Sequence, residues 1–174
     1  QNGHPFPDWE EKQLGDITEK NASSLAANSI SDEVGEYPVY GASGFYKKIS
    51  FYSEETSYIA IVKDGAGVGN LSYYEGKSSV LGTLDVIRAK KNNSLPFIYY
   101  LMGKINIVKH SIGSTIPHVY YKHYAKEKVL TPHLSEQQKI ADFLGAVDSK
   151  IDLATRQLEQ AEAFKKGLMQ KMFV

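Results

Sequence analysis

The sequence has no cysteine. That excludes disulfides, Cys-ligated zinc, iron–sulfur clusters and a thiol nucleophile, and it suits a reducing, cytoplasmic setting. Long apolar runs are missing too. Stretches such as Tyr58–Val62 fall far short of the ~20 residues a membrane-spanning helix needs, so no membrane association is expected. Net charge is also missing, since 20 Lys+Arg balance 20 Asp+Glu. Domains that bind nucleic acid are usually basic, so the balance taken whole argues against one. What remains, 42% apolar and 23% charged residues over a length of 174, is the composition of a folded globular domain rather than a disordered chain. The length fits one domain with an appendage.

The charge balance does not survive division of the chain. Residues 1–36 carry two Lys and eight Asp/Glu, a net of −6. Residues 37–134 carry twelve Lys/Arg and six Asp/Glu, a net of +6, and residues 135–174 carry six of each. Between Asp85 and Glu127 no acidic residue occurs. That interval holds Arg88, Lys90, Lys91, Lys104, Lys109, Lys122 and Lys126, with Tyr99, Tyr100, Tyr120, Tyr121 and Tyr124 interleaved. Cations suit a phosphate backbone and aromatic rings suit exposed base faces. The plain alternative for such a stretch is a solvated face of an ordinary domain.

The first 134 residues read as strands and loops. Residues 37–41, 44–51, 57–63, 69–75 and 84–90 are short and rich in Tyr, Val, Ile and Phe, with Gly, Ser, Asn and Asp between them. One helix interrupts them, capped by Ser94, with Pro96 in its first turn and Phe97, Ile98, Leu101 and Met102 on its apolar side; Gly103 marks its stop. A last strand is expected over 126–131, ended by Pro132. No proline follows. Ser135 and Gln138 have capping-box spacing, and an apolar series then steps four and three residues at a time: Ile140, Leu144, Val147, Ile151, Ala154, Leu158, Ala161, Leu168 and Met172, broken only by Lys165. This is a heptad seam. The expected architecture is α+β: a β-rich globular domain over 1–134 with a short internal helix, then one long helix over 135–174 that forms a coiled coil. Such a helix outreaches the domain, and its seam requires a partner helix.

Signals for catalysis are weak. Gly65, Gly67 and Gly69 mimic a nucleotide loop, but the strand-like residues 70–74 follow where a helix N-terminus would have to hold the pyrophosphate. A glycine hairpin is the better reading. Pro7 and Asp8 with Glu10, Glu11 and Lys12 imitate a nuclease signature on a segment too short to separate its carboxylates. The five histidines (His4, His110, His118, His123 and His133) form no zinc-binding pair. The segment 111–119, with Ser111, Gly113, Ser114, Thr115, Pro117 and His118, is a polar loop inside the acid-free interval, and its hydroxyls and imidazole can bond phosphates or base edges.

Several landmarks together resemble a known family. Trp9-Glu10 precedes Leu14-Gly15-Asp16-Ile17. Tyr40-Gly41-Ala42-Ser43-Gly44, Lys63-Asp64-Gly65 and Gly113-Ser114-Thr115 follow. Pro132, Glu136-Gln137-Gln138-Lys139-Ile140, Leu144, Asp148 and Ile151 then lead to Lys166-Gly167-Leu168-Met169-Gln170-Lys171-Met172-Phe173. The chain is similar to the specificity subunit of type I restriction-modification enzymes over nearly its whole length. The resemblance implies a target-recognition domain that reads half of a split DNA site, followed by a helix that pairs antiparallel with a second one and docks modification subunits. It implies no catalysis by this chain and no cofactor in it. S-adenosylmethionine, ATP and Mg belong to the methyltransferase (modification) and restriction subunits. A full subunit has two such halves, so this chain is expected to be a C-terminal fragment or a half that dimerises. The absence of an initial Met and the opening residues 1–7, with their Pro-Phe-Pro stretch, favour the fragment.

Within that reading Lys47, Lys48, Lys90, Lys91, Lys109 and Lys122 are the candidates for phosphate contacts. Loops 41–46, 63–70 and 111–120 are the candidates for base readout. Asn70 suits adenine and Lys63 suits guanine, Ser114, Thr115 and His118 suit either, and Tyr120 offers a ring. Ile140, Leu144, Val147, Ile151, Leu158, Leu168 and Met172 are the expected helix-pairing residues. The competing reading is a coiled-coil interaction module whose β domain binds protein and not DNA.

Overall fold

The computed structural model of the chain describes residues 8–65 and 67–173. His4, Pro7 and the rest of the opening Pro-Phe-Pro segment therefore lie outside the described residues, as does the alanine within the glycine segment. In chain order the elements are β1 (Glu10–Gln13), α1 (Leu14–Ile17), β2 (Thr18–Ala22), a 3₁₀ turn at Ala27–Ile30, β3 (Tyr37–Gly41), β4 (Gly44–Ile49), β5 (Tyr58–Val62), β6 (Leu71–Tyr74), β7 (Ser79–Val80), β8 (Leu84–Ala89), α2 (Leu95–Gly103), a 3₁₀ turn at Ile107–His110, α3 (Tyr121–Tyr124), β9 (Lys128–Thr131) and α4 (Leu134–Met172). The class is α+β, as expected.

The centre is an antiparallel sheet in the order β2-β8-β5-β6. All five residues of β5 are buried, so the strand is covered on both faces, which explains its unbroken apolar run. On one face Ile59, Ile61 and Ile87 pack with Phe97, Ile98 and Met102 of α2, with Tyr124 of α3 and with Ala141 of α4. On the other face Tyr58, Ala60, Val62, Leu84 and Val86 pack with Val80 of β7 and with Tyr40 of β3. The second sheet, β4-β3-β7, is thus laid against that face, with Ile30, Val39 and Ile49 forming a small core beyond. The third sheet pairs β1 with β9 and brings the start of the chain beside the start of α4.

Helix α2 begins as its sequence demands. Ser94 accepts from the Phe97 N–H, and Pro96 occupies the first turn. The start of α4 departs from expectation. Instead of a Ser135–Gln138 box, the cap is His133, whose Nδ1 accepts from the Ser135 N–H at 3.4 Å. His133 keeps extended backbone after Pro132, and the helix starts one residue earlier, at Leu134. Strands β1, β2 and β7 are also additional to the expected set. Ile107–His110 forms a 3₁₀ turn.

Helix α4 is 39 residues long, which is about 58 Å at 1.5 Å per residue. Only its first part touches the domain. Gln137 is 1% exposed. Its Oε1 accepts from the Ser94 N–H at 2.9 Å, and its Nε2 donates to the Pro132 carbonyl at 2.9 Å and to Asn93 Oδ1 at 3.5 Å. Beside it the Trp9 indole N–H donates to Glu136 Oε1 at 3.1 Å. Three turns on, the Tyr100 hydroxyl donates to Asp148 Oδ2 at 2.7 Å. Burial, and then this carboxylate, push the Tyr100 hydroxyl up to about 12, so it stays a donor at neutral pH. With Gln137 at the start of α2 and Asp148 near its end, α4 runs alongside α2 in the same direction. Beyond Asp148 it leaves the domain, and Ile151, Leu158 and Met172 are exposed. Among the described residues no helix is long and apolar enough to cross a membrane.

Two outcomes follow from these contacts. Gln137→Leu strips partners from the Ser94 N–H and the Pro132 carbonyl. Each unmade buried bond costs about 1–3 kcal/mol, so a loss of about 2–4 kcal/mol is expected in urea unfolding followed by Trp9 fluorescence. Glu127 gives a pH effect. Hydrogen bonds from Lys109 (2.9 Å) and His110 (2.7 Å) hold its carboxyl below the ordinary 4.5. A depressed carboxylate contributes stability above its unfolded pKa and loses it as pH falls through the folded value. The stability difference between wild type and Glu127→Gln, measured by thermal melts, is therefore full at pH 7 and shrinks progressively below about pH 4.5.

Candidate nucleic-acid interface

The glycine segment is a hairpin, not a nucleotide loop. It joins β5 to β6, with the Gly69 N–H donating to the Val62 carbonyl at 2.8 Å and the Val62 N–H donating to the Asn70 carbonyl at 3.0 Å. Gly65 and Gly67 hold φ of +78° and +84°, a region that L side chains rarely enter. The polar segment 111–119 is a second, smaller hairpin. Ile112 and His118 exchange both backbone hydrogen bonds, at 2.8 and 2.9 Å. Gly113 turns the tip at φ +98°, and a Cβ there would lie 2.7 Å from the Ile116 carbonyl oxygen.

Backbone bonds fasten the two hairpins together. The Val119 N–H donates to the Lys63 carbonyl at 2.9 Å, and the Gly65 N–H donates to the Pro117 carbonyl at 3.1 Å. A side-chain pair adds to them, with His118 Nδ1 against Asp64 Oδ1. The third candidate loop is reached through the segment before β8. The Lys63 N–H donates to the Thr83 carbonyl at 3.0 Å, and the Leu81 N–H donates to the Tyr40 carbonyl at 2.8 Å, beside the 41–44 turn. Loops 41–46, 63–65 and 111–118 therefore follow one another along a single edge of the domain.

The edge exposes Phe45, Tyr46, Ile112, Ile116 and Tyr120, with Ser114 and Thr115 exposed at the second hairpin's apex. Tyr120 stacks on His118 (centroids 6.5 Å apart, planes at 22°), and Lys122 Nζ sits 5.7 Å from the Tyr120 ring centroid, within cation–π range. Rings, hydroxyls and a cation in this mixture can stack on bases, accept and donate at base edges, and neutralise phosphates.

The structure separates the candidate lysines. Lys63 Nζ lies 3.5 Å from the buried Asp85 carboxylate. Lys47 Nζ donates to the Ile30 and Ser31 carbonyls at 2.8 Å. Lys90 Nζ donates to the Gly15 carbonyl at 2.6 Å, and Lys109 pairs with Glu127. These four already hold parts of the fold together. Lys48, Lys91 and Lys122 are exposed. Asn70 is not gathered with His118; it lines a cleft with Tyr99, Tyr100 and Asp148, between α2 and α4. Asp64, a carboxylate, stands outside the cations and donors that the sequence offers for DNA. Its signal is its place between Lys63 and Gly65, where a strand ends.

Comparison with known proteins identifies the family. A family model described as the type I restriction modification DNA specificity domain matches residues 7–163. The MjaVIII specificity subunit of Methanocaldococcus jannaschii, a type I restriction enzyme component, is 30% identical over 95% of this chain, which spans 42% of that subunit. The EcoDI specificity subunit of Escherichia coli is 28% identical over 94% of the chain and 36% of its own length. The chain thus spans less than half of these curated relatives. A crystallographic type I S subunit from M. genitalium superposes with a TM-score of 0.75 at 13% identity, over 99% of this chain and 47% of that one. A chain from a study of complex assembly and conformational transition in a type I restriction-modification system gives 0.72 at 16% identity, over 98% and 46%. At those identities the superpositions speak for the fold alone. The family match extends from the β1 entry segment, through all three edge loops, and well into α4, and on that ground the chain belongs to the type I restriction-modification DNA specificity domain family.

Proposed function

We propose that this chain is one half of a type I specificity subunit, and that it recognises double-stranded DNA through the edge formed by loops 41–46, 63–65 and 111–118. Residues 1–134 act as the recognition domain and read one half of a bipartite site. Residues 135–174 act as the spacer. The seam of Leu144, Val147, Ile151, Leu158, Leu168 and Met172 pairs with the corresponding helix of a second half, in the same full-length chain or in a second copy, while Ile140, expected in that seam, packs against the domain's own core. The helix pair docks the methyltransferase subunits, with the restriction subunit joining in the full complex. The chain chooses DNA and performs no chemistry. S-adenosylmethionine, ATP and Mg are carried by those partners, in the cytoplasm.

The observation that carries this reading is the convergence of three sequence-distant loops on one edge that combines exposed rings, hydroxyls and Lys122, in a chain of a DNA specificity family. With four of its lysines engaged internally, the domain has few cations to spare for phosphates. Binding by one half is therefore weak, with a salt slope set by those few contacts, and tight binding needs the second half.

The test is selection of the full chain against randomised duplex at several salt concentrations. The expected result is an enriched short sequence, with affinity falling as salt rises. Each of Lys48→Ala and Lys122→Ala lowers the salt slope by about 0.9, whereas Lys91→Ala, at the opposite end of β8 from the edge, leaves it unchanged. No enriched sequence and a flat salt response contradict the proposal. For the helix, Ile151→Asp with Leu158→Asp alters side chains that are 56% and 60% exposed. The double variant is expected to keep the melting of the domain while losing self-association or pairing with a complementary half in sedimentation velocity. Unchanged association contradicts the seam's role.

A further inference from the structure

Resting on that reading, we infer that Asp64 is a positioning residue that makes His118 a dedicated hydrogen-bond acceptor, which recognises the exocyclic amino group of an adenine or a cytosine in the major groove. His118 Nδ1 faces Asp64 Oδ1. A carboxylate can only accept, so the proton of the neutral ring sits on Nδ1 and the lone pair is left on Nε2. Among the described residues no hydrogen bond occupies Nε2, and the His118 side chain is 40% exposed. The ring is held in three further ways. His118 N–H and C=O are both bonded to Ile112, Pro117 beside it accepts from Gly65, and Tyr120 stacks on the ring face. An aromatic acceptor fixed in tautomer and orientation, at the edge of a domain built to face DNA, matches the donors that the major groove offers. These are adenine N6 and cytosine N4; guanine O6 and N7 and thymine O4 present only acceptors. The neighbouring lysine does not undo the assignment, because Lys63 Nζ is turned to Asp85.

The arrangement also accounts for an acidic side chain on a surface meant for DNA. A carboxylate near phosphates weakens binding unless it does something else, and here it is engaged by the ring it orients. Asp64→Asn removes the charge and offers both a donor and an acceptor, so either tautomer fits. Asp64→Glu keeps an acceptor-only partner.

The experiment uses the full chain and the duplex that it selects. At each selected adenine the base is replaced by purine, which lacks the 6-amino group, and at each selected cytosine by 2-pyrimidinone, which lacks the 4-amino group. Wild type is expected to lose about 3- to 10-fold in affinity at one position, as for a single hydrogen bond. Asp64→Asn and His118→Leu are expected to show no such loss at that position while discriminating normally elsewhere, and Asp64→Glu to restore part of it. ¹⁵N spectra of the histidine ring, free of DNA, are expected to show the proton on Nδ1 in wild type and a mixture of tautomers in Asp64→Asn. Equal analogue costs in wild type and Asp64→Asn, or a wild-type ring protonated on Nε2, overturn the inference while leaving DNA recognition by the edge intact. A wild-type chain that selects no sequence overturns both.

Discussion

The buried amide of Gln137 is the constraint on which the arrangement of domain and helix depends. A primary amide has one acceptor and two donors at fixed angles, and here it satisfies the N–H of Ser94, the cap of α2, the carbonyl of Pro132 and the side chain of Asn93 at once. An apolar residue of similar size would fill the space but leave two backbone groups without partners. The bond network therefore fixes where α4 begins, and the contact between Tyr100 and Asp148 fixes its direction along α2. With both ends of the contact set, the next 24 residues of a stiff helix are aimed. The spacer role proposed for α4 needs that, because a small angular error at the base is magnified along the helix.

The edge proposed to meet DNA is built on the same economy. The two hairpins are short and polar, and neither would hold its shape alone. Each turns on glycines in the left-handed region, and each is closed by backbone bonds to the other. The sheet beneath supplies the rigid base: β5 is buried on both faces and ends at Val62, one residue before Lys63. Side chains at the edge can then change without disturbing the core.

Much of the fold was legible in the sequence because the apolar pattern is strong where burial is two-sided. β5 and β8, the Ser94 cap with Pro96, and the four-three spacing of α4 all read directly. β1 and β2 did not, because Glu10–Gln13 and Thr18–Ala22 are edge strands with almost no apolar periodicity. They are strands only because β9 and β8 offer them partners. Charge was the least reliable guide to the site. Counting lysines found the basic segment but could not show that Lys47, Lys63, Lys90 and Lys109 are spent on carbonyls and carboxylates within the fold. Gln137 stood within the landmark 136–140 with no contact to explain it, and Asp64 carried the wrong sign for a DNA surface. Both draw their roles from contacts across 43 and 54 residues of sequence, beyond the reach of any local pattern.

The claim that DNA lies against the edge shared by loops 41–46, 63–65 and 111–118 is tested most directly by photocrosslinking. The full chain would be bound at low salt to duplex carrying 5-bromodeoxyuridine, irradiated, and the crosslinked peptides identified by mass spectrometry. The account predicts crosslinks to aromatic and histidine side chains of that edge, Phe45, Tyr46, His118 and Tyr120 foremost. Crosslinks confined to the exposed length of α4, or to the β1–β9 pair beside its start, would contradict it.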